Sequence, residues 1–194
     1  MEINPNEIIK KERYKLLSGS ILPRPIAFVS TISKAGVPNL APFSFFSGVT
    51  ADPPSICFAP ARNTDGSKKH TLLNIEETGE FIVHVVTPEI LKSMHKSAEG
   101  FPADVNEFSE VGLTEVPAKS VKVPRVNEAK VCLECKSLKI VEVGQTGFLV
   151  IGEVVHFYFS DDVWDNGKIN VQNLQPIGRM AGYDYMKNGE LFRL

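Results

Sequence analysis

Two stretches of the chain place polar groups at spacings that could hold a ligand. The first is Arg62-Asn63-Thr64-Asp65-Gly66-Ser67-Lys68-Lys69-His70-Thr71. It gathers cations and hydroxyls where a helix is expected to begin, over residues 66–77, and free backbone N–H groups at such a start point at an anion. The lysines combined with Arg62, Ser67 and Thr71 would make a phosphate site there. Lysines in a first turn oppose the helix dipole by roughly a few tenths of a kcal/mol, so a solvated basic turn is the competing reading. The second stretch is Pro23-Arg24-Pro25-Ile26-Ala27-Phe28-Val29-Ser30-Thr31, continued by Asn39-Leu40-Ala41-Pro42-Phe43-Ser44-Phe45-Phe46. Pro38 and Pro42 interrupt a strand-like run, and proline removes a ladder donor. Neighbouring backbone groups then need another partner. Two readings stand: an edge strand with a bulge, or a rim whose N–H and C=O groups meet a planar heteroaromatic edge. Ser30, Thr31, Asn39 and Ser44 alternating with aromatics suit the second. A ligand with both a planar polar edge and a phosphate is FMN.

Other chemistries find less support. Cys132-Leu133-Glu134-Cys135 is a C-x-x-C, but a zinc site wants a second ligand pair. Cys57 and the histidines His70, His84, His95 and His156 offer no such spacing. The pair sits inside an expected strand, where residues three apart point to opposite faces, so it reads as two structural cysteines. His84 and His156 lie in apolar strands and read as hydrogen-bonded structural histidines. Neither G-x-G-x-x-G nor G-x-x-x-x-G-K-[ST] occurs, which argues against a Rossmann domain or a P-loop enzyme. No nucleophile–base or paired-carboxylate arrangement is locally organised, so no catalytic residue and no metal site are assigned.

The elements that must position these residues follow from periodicity and punctuation. Asn4-Pro5-Asn6-Glu7 reads as a helix start, with Asn4 as N-cap and Pro5 at the first position, running to about Leu17. Strands are expected over residues 26–32, 40–49, 55–59 and 81–86, and helices over 66–77 and 88–98. Residues 99–125 are polar and aperiodic, an excursion of the kind that covers a site or an interface. Two long strands, 129–143 and 147–159, follow around Gly144-Gln145-Thr146, and the tail is loop-rich. Short connections favour antiparallel pairing, and such strands tend to close into a barrel. The expected fold is mainly β, a barrel with peripheral helices.

Bulk properties agree. At 194 residues one domain over the whole chain is expected. A hydrophobic share of 43% suits a protein with a real core. A formal net charge of -2 argues against a nucleic-acid binder. The first 17 residues lack a signal-peptide pattern and no later segment is apolar for about 20 residues. Three cysteines make no disulfide framework. A cytoplasmic protein, with no membrane partner, is the expectation.

The order of these motifs resembles the flavin reductase-like, FMN-binding split-barrel family, close to its flavoredoxin branch. Pro23-Arg24-Pro25-Ile26-Ala27 and Gly36-Val37-Pro38-Asn39-Leu40-Ala41-Pro42-Phe43-Ser44-Phe45-Phe46 resemble the family's first barrel hairpin, and Asp52-Pro53-Pro54 its corner. Lys69-His70-Thr71-Leu72-Leu73-Asn74-Ile75 with Thr78-Gly79-Glu80-Phe81 resembles the phosphate-side helix and next strand. Val105-Asn106-Glu107-Phe108 with Gly112-Leu113-Thr114 fits the excursion. Gly152-Glu153-Val154-Val155 and Pro176-Ile177-Gly178-Arg179-Met180 match the closing strand and tail. One departure is His70, where the family commonly has Asp between the Lys and the Thr.

The resemblance implies an antiparallel, Greek-key-like split β-barrel that works as a homodimer with FMN near the subunit interface. It implies hydride transfer from NADH or NADPH to the flavin, then electron delivery to free flavin or an acceptor protein. Hydride moves directly to flavin N5, so such a protein needs to place the ring and tune its surroundings rather than supply a nucleophile. Ser30, Thr31, Asn39, Ala41, Pro42 and Ser44 are the expected ring and ribityl contacts. Arg62, Lys69 and Thr71 are expected at the phosphate, Phe45 and Phe46 against the ring, and Arg179 and Tyr183 closing the site. Two alternatives stay open: a flavoredoxin-like electron carrier without activity toward NAD(P)H, and a barrel holding a different cofactor such as haem.

Overall fold

The sharpest constraint on the fold is a link of two residues. The computed structural model describes residues 1–193. Strands β1 (Ala27–Ile32), β2 (Pro38–Phe43), β3 (Phe46–Ala51), β4 (Pro54–Phe58) and β5 (Glu80–Val85) come first. After the two-residue strands β6 (Glu115–Val116) and β7 (Arg125–Val126) come the long β8 (Val131–Val143) and β9 (Gly147–Phe159). Seven of them form one antiparallel sheet in the order β2-β1-β5-β8-β9-β4-β3. β2 and β3 are thus opposite edges, yet only Ser44 and Phe45 separate them in the chain. Laid flat, β2 and β4 would lie five strand spacings apart, about 24 Å. The Phe43 and Phe58 ring centroids on those strands are instead 5.0 Å apart. The sheet therefore curls until its edges meet without a ladder between them, which is a split barrel. The run expected as one strand over 40–49 breaks at Ser44 because the chain must cross from one edge to the other.

Both faces of the central strands are buried. Ala27 and Val29 of β1 and Phe81 and Val83 of β5 turn into one apolar cluster with Phe43, Phe58 and Val150. Phe28 and Ile82, on the alternate face, join Met94, Phe108, Val123 and Val126 in a second cluster. Cys132 belongs to the second cluster and Cys135 to the first, as their odd spacing predicts. Both are free thiols. Burial pushes Cys132 up to about 12 and raises Cys135 as well, so neither is a reactive thiolate at neutral pH.

The helices are α1 (Lys10–Ser20), α2 (His70–Thr78), α3 (Leu91–Lys96), α4 (Glu107–Val111) and α5 (Val171–Leu174). Asn4 caps only a 3-10 turn, Pro5–Glu7. The chain then turns extended at Ile8 and α1 starts one step later, where the Ile9 N–H donates to Glu12. α1 runs through Gly19 to Ser20 rather than stopping at Leu17. Leu72 and Ile75 of α2 pack into the barrel core. None of these helices is long and apolar enough to cross a membrane, among the described residues. Two short hairpins, β10 (Trp164–Asp165) with β11 (Lys168–Ile169) and β12 (Gly178–Arg179) with β13 (Tyr185–Met186), finish the chain.

Four side chains from the central strands pin the excursion. Glu134 accepts from the Lys119 N–H at 2.9 Å and the Ser120 N–H at 2.5 Å. Glu80 accepts from the Lys122 N–H at 2.8 Å, and Ser30 Oγ donates to the Pro124 carbonyl at 2.8 Å. His84 is fully buried, with Nδ1 2.9 Å from the Phe28 carbonyl and Nε2 3.0 Å from the Val126 N. The two partners require the neutral tautomer with the proton on Nδ1. His84 is therefore a structural histidine.

Burial holds His84 at about 4, helped by Arg125 and opposed by the Phe28 carbonyl. Unfolded chain takes up this proton near pH 6.5, and folded chain refuses it until about pH 4. The stability it contributes is whole above pH 6.5 and falls by about 1.4 kcal/mol per pH unit between those limits. Urea denaturation of His84→Gln against the parent should show a flatter slope across that window. Packing gives a second expectation. A Cβ on Gly152 would lie 2.4 Å from Phe81 Cζ and 2.8 Å from Cε1, in a ring with no room to move. Gly152→Ala should lower stability by about 1–3 kcal/mol, read as a reduced urea midpoint at unchanged m-value.

Candidate functional site

β2 is an edge strand, and its alternation governs what it shows to solvent. Asn39, Ala41 and Phe43 face their β1 partners through ladder bonds, while Pro38, Leu40 and Pro42 turn their backbone outward. The Leu40 N–H confirms the phase, because it donates outward to Glu107 Oε2 at 2.9 Å. Both prolines therefore stand where no ladder donor is needed, and they do not break the strand as their sequence suggests. The outer edge has one N–H, already satisfied, and a row of carbonyl acceptors. Such an edge resists pairing with another strand and is open to a ligand that donates.

That edge forms one wall of a cavity of about 790 Å³, within the range of small-molecule sites. Asn39, Leu40, Ala41, Pro42 and Phe43 line it from β2. Residues 62–65 and Lys69, His70 and Thr71 line the opposite side, and residues 97–102 with Glu107 close it.

The cationic side is built by a turn. Gly66, at φ +86°, closes it through Asn63 N–H to the Ser67 carbonyl and Gly66 N–H to the Asn63 carbonyl. Only then does α2 begin, at His70. The helix expected from residue 66 starts four residues later, because the left-handed glycine and the Asp65–Ser67 hydrogen bonds hold the chain in a turn. Lys68 and Lys69 thus precede the helix and escape the dipole penalty. Lys69 is the N-cap and makes no side-chain cap, so the first N–H groups of α2 are open to the cavity it lines. Arg62 is held by Glu142 at 2.6 Å and lies 4.8 Å from the Phe148 ring centre. Lys68 is occupied by Glu76 at 2.6 Å. Lys69 has only a 3.3 Å hydrogen bond to Asn63 Oδ1 and no ion pair among the described residues.

The far wall carries a buried carboxyl. Asn106 caps α4, its Oδ1 accepting from the Phe108 N–H at 3.0 Å. Glu107 at the first helical position is 6% exposed. Burial pushes it up to about 7, against the opposing pull of the Leu40 N–H and of Lys69. The Asn39 side-chain amide lies 3.0 Å from Thr71 Oγ1 and hydrogen-bonds to it, joining β2 to the first turn of α2.

The cavity brings together Asn39, Ala41, Pro42, Arg62, Lys69 and Thr71 of the residues singled out from sequence. The others lie elsewhere. Ser30 is fully buried under the excursion, and Thr31 is buried and accepts from Asn74 Nδ2 at 3.0 Å. Both hydroxyls serve internal hydrogen bonds because β1 is covered on both faces. Ser44 and Phe45 form the link at the split, where Arg24 Nε donates to Ser44 Oγ at 3.3 Å and its guanidinium lies 5.9 Å from the Phe45 ring centre. Phe46 lines a smaller apolar cavity with Ile26, Val86 and Ile177. Arg179 donates to the Tyr185 hydroxyl and the Gly182 carbonyl, and Tyr183 is 82% exposed. Glu107, Asn63 and residues 97–102 were not singled out as ligand contacts. For Glu107 the available signal was a capped helix start inside an otherwise aperiodic excursion.

Comparison with known proteins agrees with this architecture. Residues 18–172 match the flavin reductase like domain. An uncharacterized protein of Halalkalibacterium halodurans is 44% identical over 199 residues, covering 100% of this chain and 95% of the relative. The crystal structure of nitrilotriacetate monooxygenase component B from Bacillus cereus superposes with a TM-score of 0.97 at 38% identity, covering 100% of this chain and 98% of that one. The 2-nitrobenzoate 2-nitroreductase of Pseudomonas fluorescens superposes with a TM-score of 0.91 at 32% identity, covering 100% of this chain and 95% of that one. Barrel, edge strand and cavity thus stand on a chain that belongs to the flavin reductase-like family.

Proposed function

We propose that this chain binds FMN and is an oxidoreductase that takes hydride from NADH or NADPH and passes electrons to free flavin or an acceptor protein, as a cytoplasmic homodimer. The observation that carries the reading is one cavity joining an open helix start, with an uncommitted lysine, to a strand edge of carbonyl acceptors. A phosphate suits the first and the polar edge of a flavin ring suits the second. Bound FMN would supply the redox chemistry, which leaves the protein the tasks of binding, orienting and charge control.

Lys69, Arg62 and the Thr71 hydroxyl would hold the phosphate together with the N–H groups of His70 and Thr71. Asn39 and the outward carbonyls of Leu40 and Pro42 would meet the ribityl chain and ring edge. Ala41 keeps that wall low. The names of the two structures above 30% identity, a monooxygenase component and a nitroreductase, support redox work in general. The dimer reading is supported by apolar side chains that this chain leaves uncovered. Tyr14, Leu16 and Leu17 of α1 and Val49 of edge strand β3 are exposed. A second copy seated on them would remove these side chains from water.

An absorbance spectrum of the purified protein, before and after anaerobic NADH or NADPH, tests the reading. Flavin bands that bleach are expected. Bands that persist would favour a carrier reduced by a protein partner, and no flavin even after FMN titration would overturn the proposal. Lys69→Ala should raise the Kd for FMN about tenfold, the loss of one charge-assisted hydrogen bond, while leaving the melting temperature of the protein without flavin unchanged.

A further inference from the structure

We propose that Glu107, Asn39 and Thr71 form a proton-linked relay through which protonation of Glu107 sets the affinity of the cavity for an anion. The inference rests on the reading above that a phosphate lies at the start of α2.

The relay follows from the hydrogen-bonding options of one amide. Asn39 sits between Glu107 and Thr71, and turning its amide by 180° exchanges N and O. In one orientation Nδ2 donates to Thr71 Oγ1 at 3.0 Å. Its Oδ1 then faces Glu107 Oε1 at 3.1 Å, a contact that needs a proton on Glu107, and its Nδ2 lies 3.1 Å from the Leu40 N, so this orientation is the less fully paired of the two. In the other orientation the amide N donates to Glu107 Oε1 at 3.1 Å, and the amide O accepts from the Leu40 N–H at 3.1 Å and from Thr71 Oγ1 at 3.0 Å. That arrangement suits an ionised Glu107. The Leu40 N–H, 2.9 Å from Glu107 Oε2, keeps an acceptor in both.

The consequence lies at Thr71, which lines the cavity in the first turn of α2. A threonine hydroxyl has one proton. With Glu107 protonated, Thr71 accepts from Asn39 and its own proton is free for an anion in the cavity. With Glu107 ionised, that proton goes to the Asn39 oxygen and is lost to the ligand. One proton taken from solvent by Glu107 Oε1 reverses the whole chain. Repulsion acts in the same direction, because an anion near Thr71 opposes a second negative charge on Glu107. Anion binding and protonation of Glu107 therefore reinforce each other reciprocally.

The charged neighbours are set out around this carboxyl. Lys69 and His70 face the cavity from the start of α2, Arg62 and Asp65 from the turn before it, and Glu99 from the segment after α3, while Glu77 of α2 lines the adjoining cavity that Glu107 also borders. Lys96 of α3 is directed to the Glu110 carbonyl of α4. Burial places the Glu107 titration at about 7, where it is reversible in ordinary buffers.

The test is FMN titration by flavin fluorescence quenching between about pH 6 and 8.5, with flavin-stripped parent and Glu107→Gln proteins, and riboflavin in parallel. Glutamine keeps an oxygen for the Leu40 N–H and donates permanently to Asn39, so it imitates the protonated relay. The two proteins should bind FMN equally at the acid end, and the parent should be about tenfold weaker at the alkaline end. The second ionisation of the FMN phosphate is common to both and cancels in the ratio. Riboflavin, without a phosphate, should show no divergence. Thr71→Ser should keep the parent's pH dependence and Thr71→Val should lose it, which carries the test if Glu107→Gln does not fold. Parallel FMN curves for parent and Glu107→Gln would overturn the relay alone, as would equal divergence for riboflavin. No FMN binding by the parent at any pH would overturn the proposed function and the relay with it.

Discussion

Two residues, Ser44 and Phe45, join the opposite edges of a seven-stranded sheet, and most of the structure follows from that short link. A chain this short cannot span a flat sheet of seven strands, whose edges would be about 29 Å apart. Closure brings Phe43, Phe58 and Phe81 into contact inside the barrel, with centroid separations of 5.0 and 5.5 Å. It also leaves β2 unpaired on its outer side, because the two edges meet at a corner rather than in a ladder. Arg24 braces that corner. Its buried guanidinium donates to the Ser18, Ile21 and Met180 carbonyls and to Ser44, so the end of α1, the tail and the link share one cation.

The open edge would be a hazard in a sheet protein, and here it is turned into a wall. Proline at two of its three outward positions removes donors, and the buried Glu107 carboxyl occupies the third. The same carboxyl connects through Asn39 to the first turn of α2. Edge strand, excursion and helix start are thereby mechanically and electrostatically joined around one cavity. A carboxyl buried to this degree is costly to ionise, and its hydrogen bonds and the nearby Lys69 offset only part of that cost.

The excursion shows how polar anchors substitute for regular structure. Over residues 99–125 only α4, β6 and the start of β7 are regular, yet Val121, Val123 and Phe108 are buried. Glu134, Glu80, Ser30 and His84 hold its backbone onto β8, β5 and β1. Each anchor is a polar group on a strand face that would otherwise be apolar. Backbone that is buried without a ladder needs such partners.

The sequence by itself determined the strands with both faces buried, the long β8–β9 hairpin, the structural nature of Cys132 and Cys135 and of His84, and the basic character of the segment leading into α2. Those features depend on local periodicity and on residue chemistry, which are written along the chain. Only the tertiary structure decided that the run over 40–49 is two edge strands, that Pro38 and Pro42 fall in the outward phase, and that α2 begins at His70. It alone took Ser30 and Thr31 out of the cavity, since a hydroxyl on a strand looks the same in sequence whether it meets a ligand or a carbonyl such as that of Pro124. It alone brought Glu107 to Leu40, 67 positions away. A contact of that separation is created by barrel closure and by the return of the excursion, and no local pattern encodes it.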